Sequence, residues 1–455
     1  MGKGVTDIRR SQRQLAPDIV GPGIDEPTFL RAISTKASRN KAHRFQNLYG
    51  HLNETQLHRA WRKLNKQGAP GVDKETVAQY GEALGHNIRR LVERLKRGEY
   101  RSRLIRRKYI PKGNGKERPL GIPVVEDRLL QGAARLLLEA IYENDFQPIS
   151  YGYRPKRGAK EAIGDLTYEL QFGRHGYVVE ADIQGFFDNI DHDWLLRMLA
   201  QRIDDKPFLG LIDIWLKAGI LERDGKVTHP HTGTPQGGVI SPILANIYLH
   251  YALDLWFERV IKSRCQGQVQ VIRYADDFVC TFQYRNEANA FYEELPKRLN
   301  KFSLEVAPEK SCIQRFSRFH PGRNRRFTFL GFEFYWEADS KGDPRVWRRT
   351  AKKKQRGSLR ACKEWLKANR HKRLPVLFKT LIRKVRGHYN YFRVVGNSRG
   401  LWTFYKEVVK LLYKWLNRRS QRRSLTWPKL KRVLECFAFP RPPQQTRQVE
   451  NRRLA

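Results

Sequence analysis

Two aspartates stand side by side in Tyr274-Ala275-Asp276-Asp277, between the apolar runs that end at Arg273 and begin at Phe278. Adjacent carboxylates at a tight turn repel each other, and the repulsion opposes folding. A divalent cation removes that penalty. Alone, an Asp-Asp pair reads first as an ordinary turn, but this one has company. Asp182 closes the apolar run Tyr177-Val178-Val179-Glu180-Ala181, where a carboxylate is expensive unless it is partnered. If the two segments are neighbouring strands, Asp182 and Asp276 face each other and can grip two Mg²⁺ ions through oxygen ligands, with Asp277 as a ligand or a support. Two ions about 3.5–4 Å apart can activate a 3′-hydroxyl and stabilise a leaving pyrophosphate. Asp188, Asp191 and Asp193 follow closely and read as caps of a helix starting near Trp194.

The elements that must hold these carboxylates follow from periodicity. Tyr177–Ile183 has strand character, and Val269–Tyr274 with Phe278–Phe282 predicts a hairpin carrying the aspartate pair at its tip. Arg101–Pro123 predicts a second hairpin, with Lys-Gly-Asn-Gly-Lys at its turn, and Phe327–Phe334 another strand. Helical spacing marks residues 27–66, 74–98, Leu129–Tyr142, Trp194–Gln201, Val239–Val260 and Glu287–Phe302. Strands and helices mix without a regular βαβ rhythm, so the fold class is α+β. From residue 345 the pattern turns mostly helical, most clearly over Leu359–Ala368, Leu374–Arg386 and Leu401–Asn417.

The chain has 455 residues and a net charge of +42, from 88 Lys and Arg against 46 Asp and Glu. So large an excess asks for a polyanionic partner. It is unevenly placed: residues 1–340 carry a net +13 and residues 341–455 a net +29. That shift sets an expected domain boundary near 341. An apolar share of 40% is enough for real cores and argues against wholesale disorder. Pro242, Asn246, His250 and Asp254 interrupt the most apolar stretch, so no membrane span is expected, and the N-terminus lacks the apolar core of a secretory signal. Five scattered cysteines without a C-x-x-C spacing fit a reducing, cytoplasmic setting, with packing as their role. The loop histidines His229 and His231 receive no metal.

Ala181–His192, Thr234–His250 and Arg273–Phe278 resemble the palm motifs of reverse transcriptases, in that family's order. More narrowly, the chain is similar to the proteins encoded by bacterial group II introns, with further matches at Gly68–Asp73, Tyr109–Arg128, Tyr151–Ala159, Leu304–Ser311 and Phe329–Phe334. The resemblance spans about residues 45–335 and implies right-hand polymerase fingers and palm around a mixed sheet, followed by an α-helical thumb and maturase domain. It implies that Asp182, Asp276 and Asp277 are catalytic and bind Mg²⁺, for which Mn²⁺ can substitute. Lys112 and Arg118 match cations that hold the incoming triphosphate, and read otherwise as a solvated hairpin tip. Phe187 matches the side chain that excludes a ribose 2′-hydroxyl, or else packs in the core beside Phe186. Gln236, before Gly237 and Gly238, would contact the nucleotide or template base. Lys310 matches a lysine that protonates pyrophosphate or orders the site, and reads equally as a strand-edge lysine. Gly331 fits the turn of a primer-gripping hairpin.

The basic quarter interleaves cations with aromatics. Lys352, Lys353 and Lys354 form one cluster, and Lys406, Lys410 and Lys414 recur every four residues, with Arg418 and Arg419 beyond. Tyr405, Val408, Leu412 and Trp415 line another face of the same helix. Such a helix suits docking on a phosphate backbone, or is simply a solvated basic face. Gly387–Phe392 resembles the family's maturase signature, with Phe392 where a tyrosine is expected. The expected organisation is therefore a flexible tail over 1–25, a helical extension over 26–100, fingers and palm over 101–340, a thumb and maturase region over 341–430, and a basic flexible tail over 431–455, without the nuclease that many relatives carry. The resemblance implies an RNA-directed DNA polymerase with maturase activity. Its implied partners are template RNA, a DNA or RNA primer, intron RNA, target DNA and deoxynucleoside triphosphates. A splicing-only maturase and a free-standing reverse transcriptase in host service, such as phage defence, are the alternatives.

Overall fold

The computed structural model describes residues 28–111, 117–322, 324–419 and 425–443. Helices α1 (Thr28–Arg39), α2 (Glu54–Lys63), α3 (Val77–Glu82) and α4 (Leu84–Lys96) come first, followed by strands β1 (Ile105–Pro111) and β2 (Glu117–Ile122). Local signals start several of these helices. Asn53 caps α2 by accepting from the Gln56 amide, and Thr76 and Gln79 form a reciprocal capping box at α3. Helix α5 (Val125–Tyr142) is buried along most of its length, and α1 and α2 pack against it. The expected 26–100 extension therefore has no core of its own, because its apolar side chains join those of α5 and the following helices.

The chain continues through α6 (Ala159–Phe172), β3 (Tyr177–Ala181), α7 (His192–Ala200), α8 (Lys206–Leu216), the short strands β4 (Ile220–Leu221) and β5 (Val227–Thr228), and α9 (Ser241–Leu249). Helix α9 runs on into two π-helical turns, His250–Asp254 and Phe257–Ile261, before α10 (Lys262–Arg264). The long apolar helix read from the sequence is present, but it widens twice, a local feature that apolar spacing does not report. Strands β6 (Val269–Tyr274) and β7 (Asp277–Phe282), helix α11 (Arg285–Asn300) and strand β8 (Cys312–Arg315) complete this part.

A four-stranded sheet in the order β6-β7-β3-β8 divides two cores. One face, with Val179, Val271, Phe278, Cys280 and Phe282, packs into the helical core built around α5 and α9. The other, with Val178, Ile272 and Val279, packs on α6 and on the C-terminal region. Alternate residues serve opposite faces, and both faces are covered, which is why β7 is buried at every position after Asp277 and apolar at all of them but Thr281.

The expected strand over Phe327–Phe334 is two strands, β9 (Arg326–Phe329) and β10 (Phe332–Ala338), separated by Leu330 and Gly331, both at positive φ. A third strand, β11 (Pro344–Thr350), pairs along β10. The expected boundary at 341 is corrected by this pairing. The charge shift falls inside a three-stranded sheet, and helices begin only with α12 (Lys352–Asn369), followed by α13 (Leu374–Phe392) and α14 (Ser398–Leu416). Those helices share one core with β9–β11. Asn397, fully buried, stitches the seam: its Oδ1 accepts from the Thr350 amide at 2.9 Å and its Nδ2 donates to the Phe392 carbonyl at 2.8 Å.

The expected flexible tail from 431 is also corrected. Helix α15 (Trp427–Cys436) crosses that boundary, Leu430 and Phe439 are buried, and Phe437 stacks on Phe378 at 4.4 Å. Aromatic anchors hold these residues against α13 despite the surrounding positive charge. The expected tail over 1–25 lies outside the described residues, as do 444–455. Cys280 and Cys362 are buried as expected of packing residues, whereas Cys312 and Cys436 are exposed. Among the described residues no helix is long and apolar enough to cross a membrane.

Candidate active site

The β6–β7 hairpin turns through Ala275 and Asp276, with Tyr274 paired to Asp277. Ala275 adopts φ 58°, a left-handed conformation uncommon outside glycine, and so lets the strands reverse in two residues. Strand β3 lies antiparallel beside β7 and pairs Ala181 with Phe278, which makes Asp182 and Asp277 the next positions along the two strands. Asp182 and the aspartate pair, 94 positions apart in the sequence, thus meet at one end of the two central strands of the sheet.

The loop before β8 holds Asp182. Its carbonyl accepts from the Ala307 amide at 2.8 Å, and the Lys310 ammonium is bonded to its carboxylate. That bond raises the Lys310 pKa, so the side chain keeps its proton. Desolvation and the nearby Asp182 charge raise Asp276, against the opposing pull of Arg118 and Lys310. Asp277 presents accessible surface, yet the walls of the cleft desolvate it, and with Asp276 and Asp182 beside it the carboxyl is pushed up to about 6. Crowded carboxylates with raised proton affinity are short of positive charge, and their oxygen donors fit a hard divalent cation. Among the described residues, no three His, Cys, Asp or Glu side chains close tightly enough to hold an ion. Lys310 supplies the cation on Asp182.

Facing the aspartates is the β1–β2 hairpin. Arg118 on β2 donates to Gln236 at 2.8 Å, and Gln236 in turn donates to both oxygens of Asp188 at 3.3 Å. The Gln236 carbonyl also accepts from the Gly121 amide at 2.6 Å, tying the loop to β2. Gly237 sits at φ 114°, and a Cβ there would lie 2.6 Å from the Gly121 carbonyl oxygen, so only glycine allows this approach. The structure thus brings Arg118 and Gln236 together beside the carboxylates; Lys112 lies outside the described residues. Phe187 is buried and meets Tyr153 edge-on at 6.5 Å, while Phe186 is buried next to it.

Three nearby residues were given another role in the sequence reading or passed over by it. Of the trio expected to cap a helix, Asp191 does so, accepting from the Trp194 amide at 2.8 Å, but Asp188 points instead to Gln236. Tyr153 is half-exposed at the site, and the Asp276 charge helps desolvation raise its phenol pKa. Lys354, assigned to the basic C-terminal cluster, reaches the cleft and lowers the proton affinity of Asp277. Its side chain passes Gly331, where a Cβ would lie 3.2 Å from Lys354 Cγ. The run of lysines that opens α12 was the available signal for Lys354; no spacing rule marked Asp188 or Tyr153.

The remaining candidates lie apart. Lys352, Lys353, Lys406, Lys410, Lys414, Arg418 and Arg419 are exposed on α12 and on or just after α14, and Lys410 is paired with Glu407 at 2.8 Å. Val408, Leu412 and Trp415 of the expected apolar face are buried, with Tyr405 at its margin. Tyr391 of the maturase-like segment donates to the Leu330 carbonyl at 3.0 Å, while Phe392 fills an apolar slot against Phe332.

Residues 110–334 match the family model described as reverse transcriptase (RNA-dependent DNA polymerase). The chain is 32% identical to Protein YkfC of Escherichia coli K12, over 70% of this chain and 90% of that protein. The chain belongs to the reverse transcriptase family. It is also 32% identical to the group II intron-encoded protein LtrA of Lactococcus lactis subsp. cremoris, over 68% of this chain. A shorter stretch, 21% of the chain, is 28% identical to nuclear intron maturase 1 of Arabidopsis thaliana, 13% of that protein. Within the reverse transcriptases the chain is thus similar to a group II intron-encoded protein and to an intron maturase. Its match to LtrA spans 60% of that relative's length.

Proposed function

We propose that this chain is an RNA-directed DNA polymerase that extends a primer 3′-hydroxyl with deoxynucleotides, and that its basic C-terminal helices bind intron RNA as a maturase. The meeting of Asp182 with the Asp276–Asp277 turn, opposite Arg118 and Gln236, carries the reading. In this reading β1–β2 forms part of the fingers, the β6-β7-β3-β8 sheet the palm, and α12–α14 the thumb. Asp182, Asp276 and Asp277 would hold two Mg²⁺ ions, with Lys310 moving off Asp182. Bound ions would supply activation of the primer hydroxyl and charge neutralisation of the leaving pyrophosphate.

The protein's own groups have separable tasks. Arg118 offers a planar, permanently charged donor fork to a triphosphate. Gln236, oriented by Asp188, positions base or sugar. Phe187 and Tyr153 wall the space beside the ribose, favouring a deoxynucleotide. Lys310 keeps a proton available for the pyrophosphate. Primer extension on an RNA template tests the reading, and a template-independent or absent product would defeat it. Splicing measured with the same preparation separates the maturase role from synthesis.

Extension should rise with pH through about 6 and then level off, because Asp277 binds a proton below that value and a proton competes with a cation. Raising the divalent-ion concentration should move this limb to lower pH. A limb that ignores the ion would contradict cation binding at Asp277.

Binding of single-stranded RNA should weaken steeply with salt, by about 0.7 in log K per decade for each neutralised phosphate. Replacing Lys406, Lys410 and Lys414 together by Gln should reduce that slope by up to about 2. The loss should fall short of the full value because Lys410 is already paired with Glu407. An unchanged slope would leave these lysines as a solvated face.

A further inference from the structure

Arg273 ends its side chain in the middle of the protein, fully buried together with Asp254. All five of its N–H donors are placed. Nε and Nη2 donate to the two Asp254 oxygens at 2.7 and 2.6 Å. Nη2 also donates to Ser150 Oγ at 2.7 Å, and Nη1 to Asn246 Oδ1 at 3.1 Å. The last bond goes from Nη1 to the Ala275 carbonyl at 3.0 Å. Ala275 is the left-handed residue of the hairpin turn, directly before Asp276.

We propose that the Arg273–Asp254 pair is a clamp that fixes the Asp276–Asp277 turn in the geometry needed to receive a cation. Arg273, Asp254 and Asn246 are thus positioning residues that touch neither substrate nor ion. The inference rests on the polymerase reading above, and it deepens that reading by assigning the source of the carboxylates' alignment.

Three features support a positioning role over simple packing. A buried ion pair is a poor way to gain stability, since desolvating both charges offsets much of their attraction, but a forked guanidinium fixes direction. The long helix is also shaped for the task. Eight residues of plain α-helix would put Asn246 and Asp254 about 80° apart around the axis. The π-helical turn at His250–Asp254 lies between them, its wider winding reduces that angle, and both side chains meet one guanidinium. Finally, the turn is held from the opposite side. Asn246 Nδ2 donates to the Gly152 carbonyl at 2.7 Å, and Gly152 lies so close to the turn that a Cβ on it would stand 2.4 Å from the Ala275 nitrogen. Asn246 therefore connects the guanidinium to the backbone that presses on the turn.

Arg273→Lys keeps the charge but cannot reach Asp254, Asn246, Ser150 and the Ala275 carbonyl together. Asn246→Ala leaves the Arg273–Asp254 pair and the Arg273–Ala275 bond intact and removes the link from the guanidinium to the Gly152 backbone that presses on the turn. Each folded variant should lose between about 10- and 100-fold in single-turnover extension rate, since small misplacements of reacting groups have effects of that size. Template–primer affinity should stay within about twofold, because the phosphate-binding surface is untouched. Tb³⁺ luminescence without nucleic acid should show weaker cation binding than in the wild type. If Arg273→Lys does not fold, Asn246→Ala decides alone. A lowered melting temperature with wild-type extension and Tb³⁺ titration would reduce the pair to a structural role and overturn the proposal. If the wild type extends no primer, the polymerase reading fails, while the Tb³⁺ comparison still decides the clamp. A wild type that also binds no Tb³⁺ overturns both.

Discussion

Asp276→Asn should reduce RNA-templated primer extension by at least about 10³-fold, with RNA binding by the protein little changed. The substitution keeps shape and hydrogen-bonding capacity and removes one negative charge. A bound cation contributes several kcal/mol to a transition state in which charge develops on oxygen, and each tenfold in rate is about 1.4 kcal/mol. About 4 kcal/mol lost therefore corresponds to about three decades. Asp276 shares its surroundings with Asp182 and Asp277, so its loss removes one of the three carboxylates available to a cation. The exposed lysines of α12 and α14 do not depend on it, so filter binding of RNA should report a normal affinity. Extension within tenfold of the wild type would remove Asp276 from the catalytic set. Normal splicing by the same variant would show that synthesis and RNA assistance are separable.

Arg202→Ala should destabilise the protein by about 3–5 kcal/mol, the effect expected when one partner of a buried ion pair is removed. Arg202 is almost wholly buried. Its Nε donates to Asp145 at 2.8 Å, and its Nη groups donate to the carbonyls of Ala37, Asn40, Lys41 and His43. These lie at and just beyond the end of α1, where helix carbonyls lack intrahelical partners. One guanidinium thus caps α1, shapes the loop after it and neutralises Asp145. Arg202→Lys should recover only part of the loss, because three ammonium hydrogens cannot satisfy five acceptor groups. Denaturant unfolding followed by tryptophan fluorescence would measure both variants. A change under about 1 kcal/mol, the usual range for an exposed ion pair, would show that these bonds do little for stability.

The carboxylate set was legible because its chemistry is at odds with its surroundings. Three aspartates bordering apolar strands are costly unless something uses them, and strand alternation plus a two-residue turn predicted where they would lie. The hairpin at Arg101–Pro123 and the capping role of Asp191 were visible for similar local reasons. Charge counting was less secure as a guide to architecture. It put a boundary at 341, inside a sheet, because β11 carries three arginines, one exposed, one half-buried and one buried, and a charge count does not tell a strand from a helix. It also read residues beyond 430 as a tail, although Leu430, Phe437 and Phe439 anchor them. Net charge describes a surface, whereas packing is decided by a few apolar side chains.

The chain's own order of residues was enough to establish the α+β class, the catalytic candidates, the appetite for a polyanion and the family resemblance. Each depends on residue type and short-range periodicity, which are properties of a linear string. Folding in three dimensions settled the rest. It turned Asp188 from a helix cap to Gln236, brought Lys354 to Asp277, and buried Arg273 with Asp254 beneath the turn. Those partners lie between 19 and 77 positions apart. Contacts over such separations are made by strand pairing, helix winding and shared cores, so an isolated residue carries no mark of the neighbour it will meet.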